Sequence, residues 1–360
     1  MAKDNAKARR EERKKRRKNE DNQAKGWIRE WADALLFAAI AALIIRTFFF
    51  EAYRIPTPSM EKSLLTGDFL VVSKINYGAR TPMVLGVPFT NMNLQGVTLP
   101  WTRLPGLTEI ERNDVVVFNY PIDIAPIAAK TNYVKRAVGL PGDTLAIREK
   151  QLFVNGEMAA DIPGLQQKYE VSVKDRLRLS AAKVKAQGGA LLNQTSANKY
   201  RINMSQALVD SMRTWQEVDS IEPYVLPQRV NEYARTNFRF GKGFINHHRM
   251  KPITVPYKGQ EITLTAENWP LYRNIITRYE RTAAERTADG FMINGRSTNT
   301  YTIKKDYYFM MGDNRDNSQD SRFWGFVPYD HVVGEASFIY FSWDKERNVP
   351  RFGRLMNIIN

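Results

Sequence analysis

The stretch Asp306-Tyr-Tyr-Phe-Met-Met-Gly-Asp-Asn-Arg-Asp-Asn-Ser-Gln-Asp-Ser-Arg322 places a dense polar segment directly after an apolar one. Its aromatic and methionine-rich start is typical of a β-strand. The polar part packs carboxylates, amides, hydroxyls and arginines into one turn. Its three aspartates could offer oxygen ligands to calcium, but the EF-hand pattern is missing and two arginines would oppose a divalent ion. A buried Asp–Arg pair that orients other side chains suits this composition better.

The body of the chain, from about residue 51 onward, contains further short segments rich in β-branched and aromatic residues. Glycine, proline, asparagine and aspartate bound these segments, which predicts strands joined by turns. Asn155-Gly156 and Asn294-Gly295 each follow an apolar triplet, a strong signal for a β-hairpin turn. The sequence therefore predicts a mainly β fold, with strands at 68–73, 114–120, 306–311 and 337–342.

Residues 158–290, between the two hairpins, are polar and basic and differ from the rest of the body. One helix is predicted near 267–280, where Leu271, Ile275 and Tyr279 recur at fourfold spacing. We interpret this block as a large mixed α/β insertion of unknown role. The surrounding β domain is then formed by residues 51–157 and 291–345, with an extension at 346–360. Because the insertion contains none of the candidate catalytic residues, we expect it to be dispensable for the chemical step.

A long apolar segment precedes the body. Residues 31–50 would span about 30 Å as a helix, which matches the hydrocarbon thickness of a bilayer. The stretch 34–45 is apolar on every face, which favours a membrane span over an amphipathic core helix. No small-x-small cleavage site follows, so residues 26–50 are interpreted as an uncleaved signal anchor. The basic residues before it predict a cytoplasmic N-terminus and an extracytoplasmic body.

The net charge of +15 is distributed unevenly. Residues 1–25 contain 11 basic and 5 acidic residues and almost no apolar ones, which predicts a disordered cytoplasmic tail. Residues 151–300 contain 21 basic and 14 acidic residues, whereas 301–360 contain 8 of each. This pattern disfavours a nucleic-acid groove, and we expect no nucleic-acid partner. The basic insertion suits substrate handling, partner docking or anionic headgroups equally well.

Two residue types limit the possible chemistry. The chain has no cysteine, which excludes thiol proteases, disulfide scaffolds, thiolate zinc sites and iron–sulfur clusters. Its three histidines, His247, His248 and His331, are not part of a His-Glu-x-x-His pattern. We therefore predict that the protein uses no metal and no cofactor, and we interpret His331 as a surface residue.

A serine and a lysine are candidates for chemistry, each with a plainer alternative. Two prolines hold Ile55-Pro-Thr-Pro-Ser-Met60 extended, so Ser59 is either an exposed nucleophile or part of a linker from membrane to domain. Lys135 lies in an apolar strand segment and is either a surface lysine or a partly buried base. As a base it needs a pKa lowered from about 10.4 to near 8, which burial and the adjacent charge of Arg136 could supply.

In combination, these segments resemble the bacterial type I signal peptidases (leader peptidases), a Ser/Lys family of serine proteases. The resemblance covers residues 30–155 and 291–345. It implies a signal-peptidase-like β domain tethered by one transmembrane helix in the bacterial cytoplasmic (inner) membrane. The matching motifs, in order, are Thr57-Pro-Ser-Met60, Gly67-Asp68, Tyr133-Val-Lys-Arg136, Gly139-Leu-Pro-Gly-Asp143 and Gly312-Asp-Asn-Arg-Asp-Asn-Ser-Gln-Asp-Ser-Arg322, which Phe323-Trp-Gly-Phe-Val-Pro328 extends.

The resemblance also implies roles for particular residues. Ser59 would attack the scissile carbonyl with Lys135 as general base, and Ser318 would hydrogen-bond the Lys135 amine. The Ser59 N–H and the Thr57 hydroxyl would form the oxyanion hole. Many relatives have serine and glycine at the positions of Thr57 and Pro58, so this chain departs slightly there. Structural support would come from Asp313, Asp320, Arg322 and Arg136, and shallow apolar substrate pockets from Ile55, Pro56, Met60, Leu64, Tyr133 and Val134.

The implied activity is the removal of N-terminal signal peptides from exported preproteins, after small residues at −1 and −3. An extended substrate would pair with residues 55–57 on one side and 133–135 on the other. The expected partners are signal-peptide-bearing preproteins and membrane phospholipids, with the secretion translocon as a further candidate. Two alternatives are a repressor autoprotease of the SOS response, which the membrane anchor argues against, and a non-catalytic single-pass binding protein, which the presence of both Ser59 and Lys135 argues against.

Overall fold

The computed structural model describes residues 27, 29–86, 93–160, 162–227 and 246–359. The predicted disordered tail, 1–25, lies outside these residues, as does the segment 228–245 of the predicted insertion. The chain divides into two compact units. One is formed by Met1–Phe50 and Arg80–Thr102, and the other by Glu51–Ala79 and Arg103–Asn360.

The first unit contains one long helix and a small strand pair. Helix α1 (Arg29–Phe49) has 21 residues, and its most apolar part is not buried inside the protein. Strands β3 (Val84–Gly86) and β4 (Asn93–Thr98) pair antiparallel. By length and composition α1 can cross a membrane. The helix predicted at 31–50 is therefore confirmed.

The second unit is built on a largely antiparallel sheet whose strands differ in length. Its strand order is β1-β2-β22-β5-β6-β20-β21, and all four strands predicted from the sequence lie within it. The strands are β1 (Phe50–Arg54), β2 (Asp68–Ser73), β5 (Val115–Asn119), β6 (Asn132–Gly139), β20 (Tyr307–Met311), β21 (Val327–Pro328) and β22 (Val332–Asp344). Buried residues of β2, β5 and β22 pack with Ile55, Met60 and Leu64, which fixes the segment around Ser59 against the core.

Both predicted hairpin turns are confirmed. Strands β7 (Thr144–Arg148), β8 (Gln151–Val154) and β9 (Glu157–Met158) form consecutive antiparallel pairs. Asn155 and Gly156 both have positive φ, +53° and +89°, as a tight two-residue hairpin turn requires. Asn294 and Gly295 repeat this geometry between β17 (Phe291–Ile293) and β18 (Arg296–Ser297).

The first half of the predicted insertion forms a layer with a core of its own. Its sheet has the order β11-β12-β10-β13, and we call it the inserted sheet. Buried side chains of this sheet and of two short helices form one separate apolar cluster. The elements are β10 (Gln166–Val173), α2 (Ala181–Ala186), β11 (Ala190–Ser196), β12 (Lys199–Ser205), α3 (Gln206–Met212) and β13 (Val218–Pro223).

The second half of the insertion shares its core with the predicted β domain. Strand β14 (Met250–Thr254) pairs with β7, and its buried residues lie in one apolar cluster with those of β7, β8 and β20. The helix predicted near 267–280 is confirmed as α4 (Trp269–Asn274), continued by a π-helical turn at Ile275–Tyr279. The remaining strands are β15 (Glu261–Thr263), β16 (Ala284–Arg286) and β19 (Thr300–Thr302).

The segment predicted as a C-terminal extension joins the main sheet. Strands β23 (Val349–Pro350) and β24 (Asn357–Ile358) both pair with β22. The guanidinium of Arg354 lies 2.7 Å from the carboxylate of buried Asp68. A further short helix is α5 (Ser321–Trp324), and short 3₁₀ turns occur at Pro58–Met60, Ile127–Ala129, Arg315–Asn317, Tyr329–His331 and Phe352–Arg354.

Candidate active site

Ser59 and Lys135, 76 positions apart in the sequence, meet in the second unit. Lys135 Nζ lies 2.7 Å from Ser59 Oγ and also donates to the carbonyl of Val134 at 2.8 Å. Ser59 sits in the 3₁₀ turn Pro58–Met60, which Pro58 begins, and Lys135 lies in the middle of β6. The structure therefore brings together the two residues whose roles were expected from sequence.

Burial decides the protonation of Lys135. Only 3% of its surface is exposed, and burial lowers the pKa of its ammonium group from 10.5 to about 8. The negative charges of Asp320 and Asp313 act in the opposite direction but do not cancel the effect of burial. The contribution expected from Arg136 is not found, because its guanidinium is paired with Asp313. Lys135 can therefore lose its proton within reach of neutral pH.

The segment carrying Ser59 is held by a residue that the sequence analysis did not single out. The backbone N–H of Asn314 donates to the Ser59 carbonyl at 3.1 Å, and its side-chain Nδ2 donates to the Pro58 carbonyl at 3.1 Å. Asn314 is itself almost fully buried. These two bonds fix the peptide unit that joins Pro58 to the nucleophile and the peptide unit that follows it.

Two buried ion pairs support the polar loop that follows β20. Arg136 makes a two-pronged contact with Asp313, at 2.9 and 2.8 Å, and donates a further bond to the Asn113 carbonyl. Arg322 makes the same kind of contact with Asp320, at 2.8 and 2.7 Å. Burial raises the pKa of Asp320, but the charge and hydrogen bonds of Arg322 outweigh it and hold that pKa below its ordinary value. The predicted Asp–Arg pairs are thus present in the structure.

Ser318 does not make the bond expected of it. It is buried, and the expected bond to Lys135 is not formed, because the Lys135 amine bonds to Ser59 and Val134. Ser318 instead faces the Asp320 carboxylate and helps to lower the pKa of that group. Ser318 nevertheless lies beside the nucleophile. A Cβ placed on Gly312 would come within 2.3 Å of Ser318 Oγ and 2.5 Å of the Ser59 carbonyl oxygen. Only glycine fits at this position, because any side chain would collide with both serines.

The remaining predicted site residues differ in how far their side chains are exposed. Thr57 is exposed, has extended backbone at φ −126°, and its side chain makes no capping bond to the turn that follows. Pro56 is exposed, and Tyr133 and Val134 are half-buried. Ile55, Met60 and Leu64 are buried in the core. Of the six predicted pocket residues, Pro56, Tyr133 and Val134 therefore offer the most accessible surface.

The interpretation of His331 as a surface residue is wrong. His331 is 5% exposed, and its Nδ1 lies 2.9 Å from a carboxylate oxygen of Asp330. It lies in the 3₁₀ turn that precedes β22, and its ring packs edge-to-face with the ring of Tyr279. The spacing of apolar residues around His331 does not indicate that this polar residue is buried.

A second polar cluster lies around Asp316. His248 Nε2 is 2.6 Å from Asp316 Oδ1, and Lys150 Nζ is 2.7 Å from Asp316 Oδ2. His247 completes a group of two histidines and one carboxylate that has the residue types of a metal site. However, His248 Nδ1 accepts a hydrogen bond from the Leu226 N–H, so Nε2 carries the proton that faces Asp316. His248 and Lys150 therefore both donate to the Asp316 carboxylate in this arrangement.

Comparison with known proteins identifies the class. The chain matches the family model described as "Signal peptidase, peptidase S26" over residues 28–223 and 252–343. The chain belongs to the signal peptidase family, peptidase S26.

The curated relatives are consistent with this assignment. The chain is 28% identical over 305 residues to signal peptidase I of Buchnera aphidicola subsp. Schizaphis graminum, covering 85% of this chain and 72% of the relative. It is 25% identical over 339 residues to signal peptidase I of Pseudomonas aeruginosa, covering 91% and 78%. A crystal structure of a signal peptidase I from Enterococcus faecalis is 16% identical in sequence to this chain, with a TM-score of 0.23, and the match covers 64% of this chain and 98% of that one.

Proposed function

We propose that the protein is a signal peptidase I type endopeptidase that removes signal peptides from exported preproteins, with Ser59 as nucleophile and Lys135 as general base. The observation that carries the proposal is the 2.7 Å contact between Ser59 Oγ and a lysine amine buried in the protein. A serine hydroxyl is a weak nucleophile until a neighbouring base accepts its proton, and a neutral amine can be that base.

The protonation of Lys135 suits this role. A pKa of about 8 leaves about a tenth of the amine neutral at pH 7, compared with about 0.03% at the ordinary value of 10.5. The neutral amine takes the Ser59 proton as Oγ attacks the scissile carbonyl carbon. The resulting ammonium then gives its proton to the leaving amine, which leaves an acyl-enzyme. Water hydrolyses the ester, with Lys135 as base again.

An oxyanion hole is proposed from the Ser59 N–H and the Thr57 hydroxyl. Asn314 holds the peptide unit that contains the Ser59 N–H and the peptide unit that follows it, so this donor is fixed in position before substrate binds. The exposed Thr57 side chain makes no capping bond to the turn, which leaves its hydroxyl available to an incoming oxyanion. Threonine retains the donor that a serine would supply at this position.

The edge of β6 offers a place for an extended substrate. Strand β5 pairs with β6 along Asn132 to Arg136, whereas the pairing of β20 with β6 stops at Arg136. Residues 132–135 of β6 therefore have one edge whose backbone groups are not paired with β20. The side-chain Nδ2 of Asn132 also lies 3.5 Å from the hydroxyl of Tyr53, which belongs to β1. A substrate strand between residues 55–57 and 133–135 would place its scissile bond at Ser59 by β-augmentation. Pro56, Tyr133 and Val134, the most accessible of the six predicted pocket residues, would then contact the small residues at −1 and −3.

We further propose that α1 anchors the protein in the bacterial cytoplasmic membrane, with its N-terminus in the cytoplasm and the second unit outside. Phospholipids and the secretion translocon are then neighbours of the enzyme. Substrate and enzyme share one membrane, which raises their effective concentration. Protease added outside spheroplasts should digest the body. An intact full-length chain, where a known external control is digested, would contradict this orientation.

Activity is tested by incubating the purified full chain with a secretory precursor and sequencing the N-terminus of the product. The wild-type protein should produce one mature N-terminus that follows small residues at −1 and −3. Ser59→Ala should produce none, while Ser220→Ala, at an exposed serine of β13, should cleave as the wild type does. Cleavage by Ser59→Ala would refute the assignment of the nucleophile.

A further inference from the structure

The inserted sheet reaches the loop that holds the nucleophile. The N–H of Gln166, the first residue of β10, donates to the Asp313 carbonyl at 2.8 Å. Two residues later the N–H of Lys168 donates to the Asp316 carboxylate at 2.6 Å. One strand therefore holds the loop on both sides of Asn314. Because the backbone of Asn314 is fixed in this way, the rotation of its side-chain amide is the main remaining freedom.

The side-chain amide of Asn314 contacts Asn203 on the neighbouring strand β12. The Nδ2 of Asn203 donates to Asn314 Oδ1 at 3.1 Å and to Gln166 Oε1 at 3.1 Å. Register places Asn203 opposite Lys168, so the same pair of strands supplies both contacts. Hydrogen bonds thus run from Asn203 to Asn314, and from Asn314 to the carbonyls of Pro58 and Ser59.

The direction of these bonds is determined by chemistry. The Pro58 carbonyl can only accept, so Asn314 must present Nδ2 to it, and its Oδ1 must then face Asn203. Asn203 must therefore donate. Asn203 and Asn314 are 6% and 1% exposed, so bulk water has little access to replace either bond. A residue without a donor at position 203 would leave the Asn314 amide free to turn away from Pro58.

The two ends of the Asn203 amide differ in their contacts. Its Oδ1 is buried and, by distance and angle, completes no hydrogen bond within the described residues. An unpaired buried acceptor is destabilising, so the oxygen of this amide adds nothing to the fold, whereas its Nδ2 pairs two buried acceptors, Asn314 Oδ1 and Gln166 Oε1. What asparagine offers at this position is its donor, and that donor is directed at Asn314.

We propose that Asn203 is a positioning residue for cleavage, through which the inserted sheet fixes the Asn314 amide and hence the backbone of Ser59. The proposal rests on the proposed function, since it assumes that Ser59 is the nucleophile. It gives the insertion a role in the chemical step, in contrast to the dispensability expected from sequence. Small displacements of a nucleophile lower reaction rates strongly, because attack requires a narrow range of geometry.

Asn203→Asp is the most direct test, because it replaces the donor by an acceptor of the same shape. Asn193→Asp, at an exposed position of β11, makes the same change of charge in the same sheet. The readout is the single-turnover rate of precursor cleavage by the full chain at saturating enzyme, which a misfolded fraction does not lower. We expect Asn203→Asp to slow this rate about tenfold or more, with little change in the enzyme concentration needed for saturation. Asn193→Asp should match the wild type.

A double-mutant cycle tests whether the effect passes through Asn314. In an Asn314→Ala background, Asn203→Asp should slow the reaction little further, because the group that it orients is gone. An unchanged single-turnover rate for Asn203→Asp would overturn the proposal. So would an equal slowing in both backgrounds, since the effect would then bypass Asn314. If Asn203→Asp does not fold, Asn203→Ala removes the donor without adding a charge, and the same outcomes apply.

The two proposals fail in different ways. If Ser59→Ala is inactive and the Asn203 variants cleave at the wild-type rate, the dyad stands and the positioning role falls. If Ser59→Ala cleaves the precursor, the proposed function falls first.

Discussion

Replacing Lys135 by methionine should abolish cleavage and remove a cost to folding that depends on pH. Methionine fills similar space, carries no charge and cannot act as a base. In the wild type, burial lowers the pKa of Lys135 from 10.5 to about 8. At about 1.36 kcal/mol per pH unit, this difference corresponds to about 3 kcal/mol of folding free energy.

The sign follows from proton counts in the two states. Below about pH 8 the lysine is protonated in both the folded and the unfolded chain, so the cost of burying the ammonium is fully present. Between about pH 8 and 10.5 the folded state has lost its proton while the unfolded state keeps it, and the wild type gains stability as pH rises. Near pH 10.5 most of the cost has disappeared. The stability of Lys135→Met relative to the wild type should therefore fall by about 3 kcal/mol between pH 7 and 10.5.

Urea unfolding of the full chain in detergent micelles, at several pH values, measures this difference. Other titrating groups are common to both proteins and cancel in the comparison. Lys185→Met, at a lysine whose side chain is 79% exposed, is the control for loss of a lysine without burial. A constant difference between the wild type and Lys135→Met from pH 7 to 10.5 would refute the reasoning, because Lys135 would then titrate alike in the folded and unfolded chain.

Three further outcomes are expected. Arg136→Lys should destabilise the body by about 2 kcal/mol in urea, since lysine cannot reproduce the two-pronged contact with buried Asp313, whereas Arg213→Lys in an exposed pair should change little. EDTA should leave precursor cleavage unchanged, and a loss of activity that zinc or magnesium restores would refute a metal-free mechanism. Joining Gly156 to Gly295 should give a chain that neither shows the native circular dichroism nor cleaves peptide, because it removes β14 and the contacts of β10 to the catalytic loop.

The parts of the fold that the sequence predicts depend on local patterns. The apolar run of α1, the strands of the main sheet and the two Asn-Gly turns each follow from residues adjacent in the chain. The pairing of Ser59 with Lys135 is predicted by the resemblance of the motifs to those of a known family. The structure places the two side chains in contact. The burial of Lys135 is also consistent with its apolar neighbours in β6.

The parts that the sequence does not predict depend on contacts between distant segments. Asn203 and Asn314 are 111 positions apart, and nothing in the spacing around either residue indicates the other. His248 and Asp316 are 68 positions apart and equally unmarked. The insertion was interpreted as one block because its composition is uniform. Its division into an inserted sheet and a part sharing the main core depends on the pairing of β14 with β7.

The central claim is that Lys135 acts as a base, and the precursor cleavage rate of Lys135→Arg tests it most directly. Arginine keeps the positive charge at this position but cannot give up its proton at accessible pH. The account predicts no cleavage above the level of Ser59→Ala at any pH, because the members of a nucleophile–base unit fail together. Cleavage by Lys135→Arg at a rate near that of the wild type would show that the residue acts as a fixed cation, and would contradict the mechanism.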